Sequence, residues 1–499
     1  MSARAARIAG TLLLASGAAT LGGCGGSRPA PKPAAKSWPL PNADLSSTRS
    51  LSASGIDRAN VSSLKSLWRF RIPITPGDAG ALTATPVVSN GVVYVQDMKS
   101  NVYALDLRTG KLRWRRHFGD SNPGPDGLAT AGPRIFGATD TTVFALAKVS
   151  GRLLWTRRIV TPSERYLDVA PQVAGGLVYT STVGYPPHGR GALYALDAAT
   201  GSVRWKLSTI ARPWRFPEEA GGGGAWYPPS VGGRTVYWGT ANPLPYGGSR
   251  LHPNGGAYAG PALYTDSLLA VDARNGSLIW YDQVTRHDVR DYDFQVSPIL
   301  GAVSSAPAVF GAGKAGVVIA WDRKTHKRLW STEVGIHHND RGPLPRRRLS
   351  VCPGLLGGVE TPMGYADGRL FVPVVDLCMQ GSAYGYEALG KVDVTRRGGG
   401  ELVALDAGTG NVDWKRMFGQ ADFGCATVAD GVVFTSTFDG TVYGLDTRNG
   451  KTLWRASASE GINACPALAG GVLLVGAGVP NARGKIAALE AFAPAATRS

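Results

Sequence analysis

The chain has 499 residues, a formal net charge of +17, 67 glycines and 33 prolines, with 9% aromatic and 18% charged residues. So much glycine and proline with so little charge favours many short strands joined by tight turns over a helical fold. The positive charge is dispersed, its longest run is Arg346-Arg347-Arg348 and no base-stacking aromatic motif accompanies it; a nucleic-acid partner is excluded, and a general attraction to anionic polymers or lipids remains.

In chain order, Arg4 and Arg7 precede an apolar run from Ile8 to Leu21 that ends in Leu21-Gly22-Gly23-Cys24. The run is short for a bilayer and closes on small residues, so residues 1–23 are expected to be a cleaved signal peptide. A cleavage site ending on cysteine resembles the lipobox of bacterial lipoproteins. That resemblance implies an acylated Cys24 and an extracytoplasmic protein anchored by lipid to the cell membrane or envelope. Residues 24–37, rich in Gly, Pro, Ala and Lys, are expected to be a flexible linker, 38–493 the folded body and 494–499 a disordered tail.

One pattern then recurs: a β-branched and aromatic strand, Ala-Leu-Asp, a Thr-Gly or Asn-Gly turn, three residues and a tryptophan. It reads VYALDLRTGKLRW at 102–114 and returns at 143–155, 193–205, 268–280, 318–330, 402–414 and 442–454. The aspartate is suited to accept hydrogen bonds from the turn, the glycine supplies a positive φ, and the tryptophan is expected to wedge between neighbouring sheets. Another strand pair precedes each copy, its first strand opening near a small residue and often a proline, as at Ala84-Thr85-Pro86 or Ala306-Pro307. Four strands per unit make a propeller blade. An eighth unit is split, with strands from Cys465 to Glu490 but its tryptophan, Trp68, near the N-terminus. The expected fold is therefore all-β, an eight-bladed β-propeller of four-stranded antiparallel blades closed by N- and C-terminal strands. The two longest intervals between tryptophans end at Trp280 and Trp414, so function is sought in those insertions.

GGGGAW at 221–226, VYWGTANPLP at 236–245, RHDVRDYDFQVSPIL at 286–300 and GAGKAGVVIAWD at 311–322 resemble, in that order, segments of the pyrroloquinoline-quinone-dependent alcohol and glucose dehydrogenases. The resemblance covers nearly the whole body. It implies pyrroloquinoline quinone stacked on Trp226 and contacted by Lys314, calcium held by Asn242 and Asp291, and Asp291 as the catalytic base. VCPGLLGGVETP at 351–362 with LFVPVVDLCM at 370–379 implies a disulfide between Cys352 and Cys378, while pairing of Cys425 with Cys465 stays open. Arg290 stands where the family has tryptophan, and a guanidinium there is expected to lower the pKa of Asp291 and weaken it as a base. Pro186 and Pro187 occupy the neighbourhood of a calcium-ligating glutamate, and Glu360 and Thr361 replace an asparagine and a tryptophan. His337-His338-Asn339-Asp340 reads as a polar loop beside Gly342-Pro343.

The reading leans to an oxidoreductase acting on a small-molecule alcohol or sugar. Without a C-x-x-C-H haem motif, it needs a separate electron acceptor. The alternative is a non-catalytic scaffold lipoprotein of the cell envelope, similar to the propeller of outer-membrane assembly.

Overall fold

The structure, a computed structural model, describes residues 35, 37–73, 81–122, 124–184, 189–211, 221–255, 260–388, 392–479 and 486–495. The expected signal peptide, Cys24, Pro186 and Pro187 lie outside the described residues, as does most of the linker. Among the described residues the only helices are Val61–Ser63, of 3-10 type, and the single turn Val394–Arg397. The rest of their regular secondary structure is strand, in keeping with the turn-rich composition.

Among the described residues, eight sheets have four antiparallel strands each. In the first, Val87–Ser89, Val92–Gln96 and Val102–Asp106 are buried almost throughout, whereas Leu112–Arg116 is largely exposed. Sequence explains the gradient: VVS, VVYVQ and VYALD offer apolar side chains to both faces, and LRWRR covers the rim with arginines. The turn between the last two strands is built as expected. Asp106 Oδ1 accepts from the backbone N–H of Arg108 and of Thr109 and from the Thr109 hydroxyl, each at 3.0 Å, and Gly110 takes φ +66°. Asp197 and Asp406 accept in the same way from Thr200 and Thr409.

Each tryptophan of the repeat reaches the turn of the following sheet. Trp68 Nε1 donates to Leu107 O at 2.9 Å, and its ring lies where a Cβ on Gly110 would have to be, 2.6 Å away. The same pairing joins Trp114 to Gly151, Trp155 to Gly201, Trp205 to Gly276, Trp330 to Gly410 and Trp414 to Gly450. The turn after Asp322 has His326 in the glycine's place, at φ +62°, and its imidazole stacks on Trp280 at 4.9 Å. Trp454 donates to Leu64 O, the start of Leu64–Arg71. That strand pairs with Ala488–Pro494, so the first and last strands of the chain share one sheet with Ala467–Ala469 and Val472–Ala477. One expectation is corrected. The first strand of the fifth sheet is Ile299–Val303, after Ser297-Pro298, and Ala306-Pro307 opens its second strand.

Residues 38–54, which carry no strand pattern, run along the first strands of most of these sheets. Trp38 pairs with Val88, Pro39 O accepts from Thr130, and Leu45 O, Ser46 O, Thr48 O and Arg49 O accept from Val231, Leu300, Tyr365 and Val428; Ser54 O accepts from Gly471. Seven of the eight sheets are thus tied to one segment through the backbone. Arg49 at its centre is fully buried, and its guanidinium donates to Pro41 O, Ala426 O, Pro466 O, Asn42 Oδ1 and Thr427 Oγ1 at 2.6 to 3.1 Å. Burial lowers its pKa to about 9.

Candidate active site

The glycine run at 221–224 is ordered. Gly221–Gly222 pairs with Pro243–Leu244, and Gly223 N donates to Asn242 O. A Cβ on Gly222 would sit 2.2 Å from Asn242 O, and one on Gly224 would sit 2.0 Å from Val183 O. Only glycine permits this backbone-on-backbone packing, which fixes Trp226 and Asn242 at neighbouring loop bases.

Trp226 faces a cavity of about 190 Å³ whose wall also includes Tyr227, Gln295, Lys314, Glu360 and Phe423. Lys314 is its cationic end. The ammonium contacts Asp291 Oδ2 at 2.9 Å and Asp293 Oδ2 at 2.6 Å, while Lys314 N donates to Asp293 O. Asp293 Oδ1 in turn accepts from Asn242 N at 2.5 Å, so one carboxylate links the fourth-sheet loop to the fifth. Gln295 Nε2 donates to Glu360 Oε2 at 2.7 Å. Sequence reasoning therefore placed Trp226 and Lys314 on one cavity, and Asp291 and Asn242 join them through Lys314 and Asp293. It missed Asp293 and Gln295. The spacing Asp291-x-Asp293-x-Gln295 was the available signal, because alternate residues of an extended segment project to one side.

Electrostatics follow from burial. Burial raises the Asp291 carboxyl, with Lys314 pulling it back down. Burial alone lowers the Lys314 ammonium, but Asp291, Asp293 and Glu360 outweigh it, and the pKa ends well above the ordinary value. Burial lifts Glu360 to about 7 and Asp288 to about 6. The expected effect of Arg290 is corrected. Its guanidinium turns away to Asn339 O, Arg341 O and Gly342 O, and Lys314 is the cation at Asp291. Asp291 also holds φ +67°, a conformation uncommon outside glycine.

Two further carboxyls were not anticipated. Asp126 lines a smaller space that shares Pro125, Tyr227 and Asn463 with the cavity, and Asp168 lies against Gly124. Burial raises both well above the ordinary carboxylate value, and the charge of Asp168 adds to the rise at Asp126.

These surroundings fit a flat, anionic aromatic cofactor. An indole wall and an ammonium at one edge are what such a group requires. They do not form a calcium cage. Asn242 Nδ2 donates to Pro243 O, the ammonium of Lys314 lies between Asp291 and Asp293, and among the described residues no three His, Cys, Asp or Glu side chains are arranged to hold a metal. Cys352 and Cys378 are disulfide-bonded, as are Cys425 and Cys465, whose Cα atoms are 5.1 Å apart. His337 is paired with Asp340 at 2.7 Å, in keeping with a polar loop.

Comparison with known proteins adds three likenesses to one family match. The model of the family described as outer membrane protein assembly factor BamB matches residues 56–242, 99–352 and 355–492. The chain is 26% identical over 485 residues to the quinohemoprotein alcohol dehydrogenase ADH IIB of Pseudomonas putida, covering 82% of this chain and 68% of that protein. In structure it is similar to the quinohemoprotein alcohol dehydrogenase from Comamonas testosteroni, with a TM-score of 0.79 at 20% identity over 93% of this chain and 81% of the other. BamB from Moraxella catarrhalis gives a TM-score of 0.55 at 14% identity over 86% and 99%.

Proposed function

We propose, since the chain belongs to the family described as outer membrane protein assembly factor BamB, that it is a dehydrogenase-like member and oxidises an alcohol, or a sugar hydroxyl, with pyrroloquinoline quinone. The observation that carries the reading is the meeting of Trp226, Lys314 and Glu360 on one cavity, with Asp291 at the Lys314 ammonium.

When bound, pyrroloquinoline quinone supplies a carbonyl that accepts hydride. Trp226 offers the flat wall on which such a ring system rests. Lys314 holds a positive charge where negative charge develops, and Asp291 takes the hydroxyl proton. Burial raises Asp291 toward neutrality and strengthens it as a base, while the ammonium beside it favours the ionised form. Calcium at Asn242 and Asp291 belongs to the resemblance.

The eight four-stranded sheets form one closed eight-bladed ring, which the tryptophan-to-turn contacts and the sheet shared by both chain ends support. Electrons leave to a separate acceptor, and the mature protein is anchored outside the cytoplasm through Cys24. A second reading, the non-catalytic envelope scaffold, is favoured by the family description and the likeness to BamB.

Dye-linked oxidation separates the two. With purified protein and added quinone, Asp291→Asn is expected to retain quinone binding and lose at least ~100-fold in turnover, because an amide cannot accept the proton. If the unaltered protein neither binds the quinone nor oxidises any primary alcohol or aldose, the scaffold reading replaces the enzyme.

A further inference from the structure

The cavity at Trp226 is smaller than a second one. That pocket, of about 550 Å³, is walled by residues that adjoin the Asp291–Lys314 pair in the chain, Arg290 and Tyr292 flanking Asp291 and Ala315 following Lys314. Val284, Val289, Tyr292, Ala315 and Pro343 give it apolar walls.

Its charge is one-sided. Arg286, Arg290 and Arg341 line it with His287, against the single carboxylate of Asp340, which is already engaged by His337 Nδ1. Arg341 pairs with Glu333. Arg290 is 5% exposed, and the hydrogen bonds of its guanidinium go to three neutral carbonyls, so its charge is held in place without a carboxylate on it. Asp288, behind it, is occupied by the backbone N–H of Arg290 and Tyr292. Arg286 is exposed at the rim and makes no hydrogen bond or ion pair among the described residues. A fixed cation, a free cation and apolar walls are the complement of an amphipathic anion: the carboxylate meets the guanidinium groups, and the body displaces water from Val284, Val289 and Tyr292.

We infer that this pocket is a binding site for a small organic acid, a carboxylate on an apolar body, distinct from the cavity at Trp226. The binding itself does not depend on the oxidation proposed above. In that reaction, an acid seated here lies next to the proposed base.

Titration calorimetry on the full-length protein without added quinone tests the inference, with benzoate, benzamide and inorganic phosphate as probes. Benzoate is expected to bind one per chain, at least ~10-fold more tightly than benzamide, and to lose at least ~10-fold in Arg286→Ala while keeping its affinity in Trp226→Ala. Arg286 is exposed and has no partner among the described residues, so its removal is expected to leave the fold intact. Equal affinities for benzoate and benzamide, no benzoate binding, or an unchanged Arg286→Ala overturn the inference. Competition by phosphate at benzoate's own affinity also overturns it, since that marks general attraction to a +17 chain rather than a pocket for an organic acid. Loss of benzoate binding in Trp226→Ala moves the site to the other cavity and equally overturns the assignment.

Discussion

Replacing Gly450 by alanine should destabilise the protein in two separable ways. Gly450 has φ +69°, and a Cβ built there lies 2.6 Å from the Trp414 ring. Carbon atoms in ordinary contact stand about 3.5–4.0 Å apart, so the indole must retreat by roughly 1 Å. The retreat strains the bond from Trp414 Nε1 to Thr447 O, now 3.0 Å and worth about 1 kcal/mol, and the crowding adds about 1–3 kcal/mol. The left-handed backbone contributes a further ~1 kcal/mol wherever alanine replaces glycine at such a φ. Gly176 is the control, with φ +77° and nothing within 4 Å of the added carbon. Urea unfolding should place Gly450→Ala about 1–4 kcal/mol below Gly176→Ala. In a Trp414→Ala background, the two substitutions should cost the same. Equal costs in the parent protein, with Trp414 present, would refute the claim that the tryptophan is seated on the neighbouring turn.

Glu360 gives a pH dependence of known sign. Its carboxyl is raised from 4.5 to about 7 by burial, so between those values the folded chain keeps a proton that the unfolded chain has lost, and stability falls as pH rises through the window. Glu360→Gln should therefore gain on the parent between pH 5 and pH 8, by about 3 kcal/mol at most; parallel stability curves would show that the carboxyl is not buried as described. Cys24→Ser should release the protein from the membrane fraction with its melting unchanged, because one lipidated cysteine is the proposed anchor. Tight association of that variant with membranes would place the anchor elsewhere.

The repeat was readable because each of its parts acts locally. An aspartate four residues before a turn glycine satisfies that turn by itself, and Trp155 or Trp414 needs only the next copy of the same turn to dock on. The substitution of His326 for glycine was visible in the sequence, but its stacking on Trp280 was not. At the site, Trp226 and Lys314 could be read because each lies in a segment with its own pattern. The Asp293 link could not, because it joins Asn242 to Lys314 across two loops whose approach is set by the glycine packing at 222–224. Arg290 was misjudged for the same reason: adjacency to Asp291 in sequence says nothing about where a long side chain turns, and three carbonyls of the 339–342 loop capture it. The backbone ties of the 38–54 segment could not be read either, since they are made by groups that every sequence carries.

That segment also sets an order of events. Trp38 to Ser54 leave the ribosome before any sheet exists, yet their partners include Val428 and Gly471, close to the end of the chain. The carbonyls of Arg49 and Ser54, and the guanidinium that reaches Ala426 and Pro466, must wait for almost the entire polypeptide. Individual sheets can assemble from neighbouring residues as they emerge, but the bonds along 38–54 form only when the last sheets are in place. A chain interrupted after its seventh repeat would hold Arg49 without its Pro466 partner, leaving unfinished assemblies open to proteolysis and to chaperones until the C-terminal strands arrive.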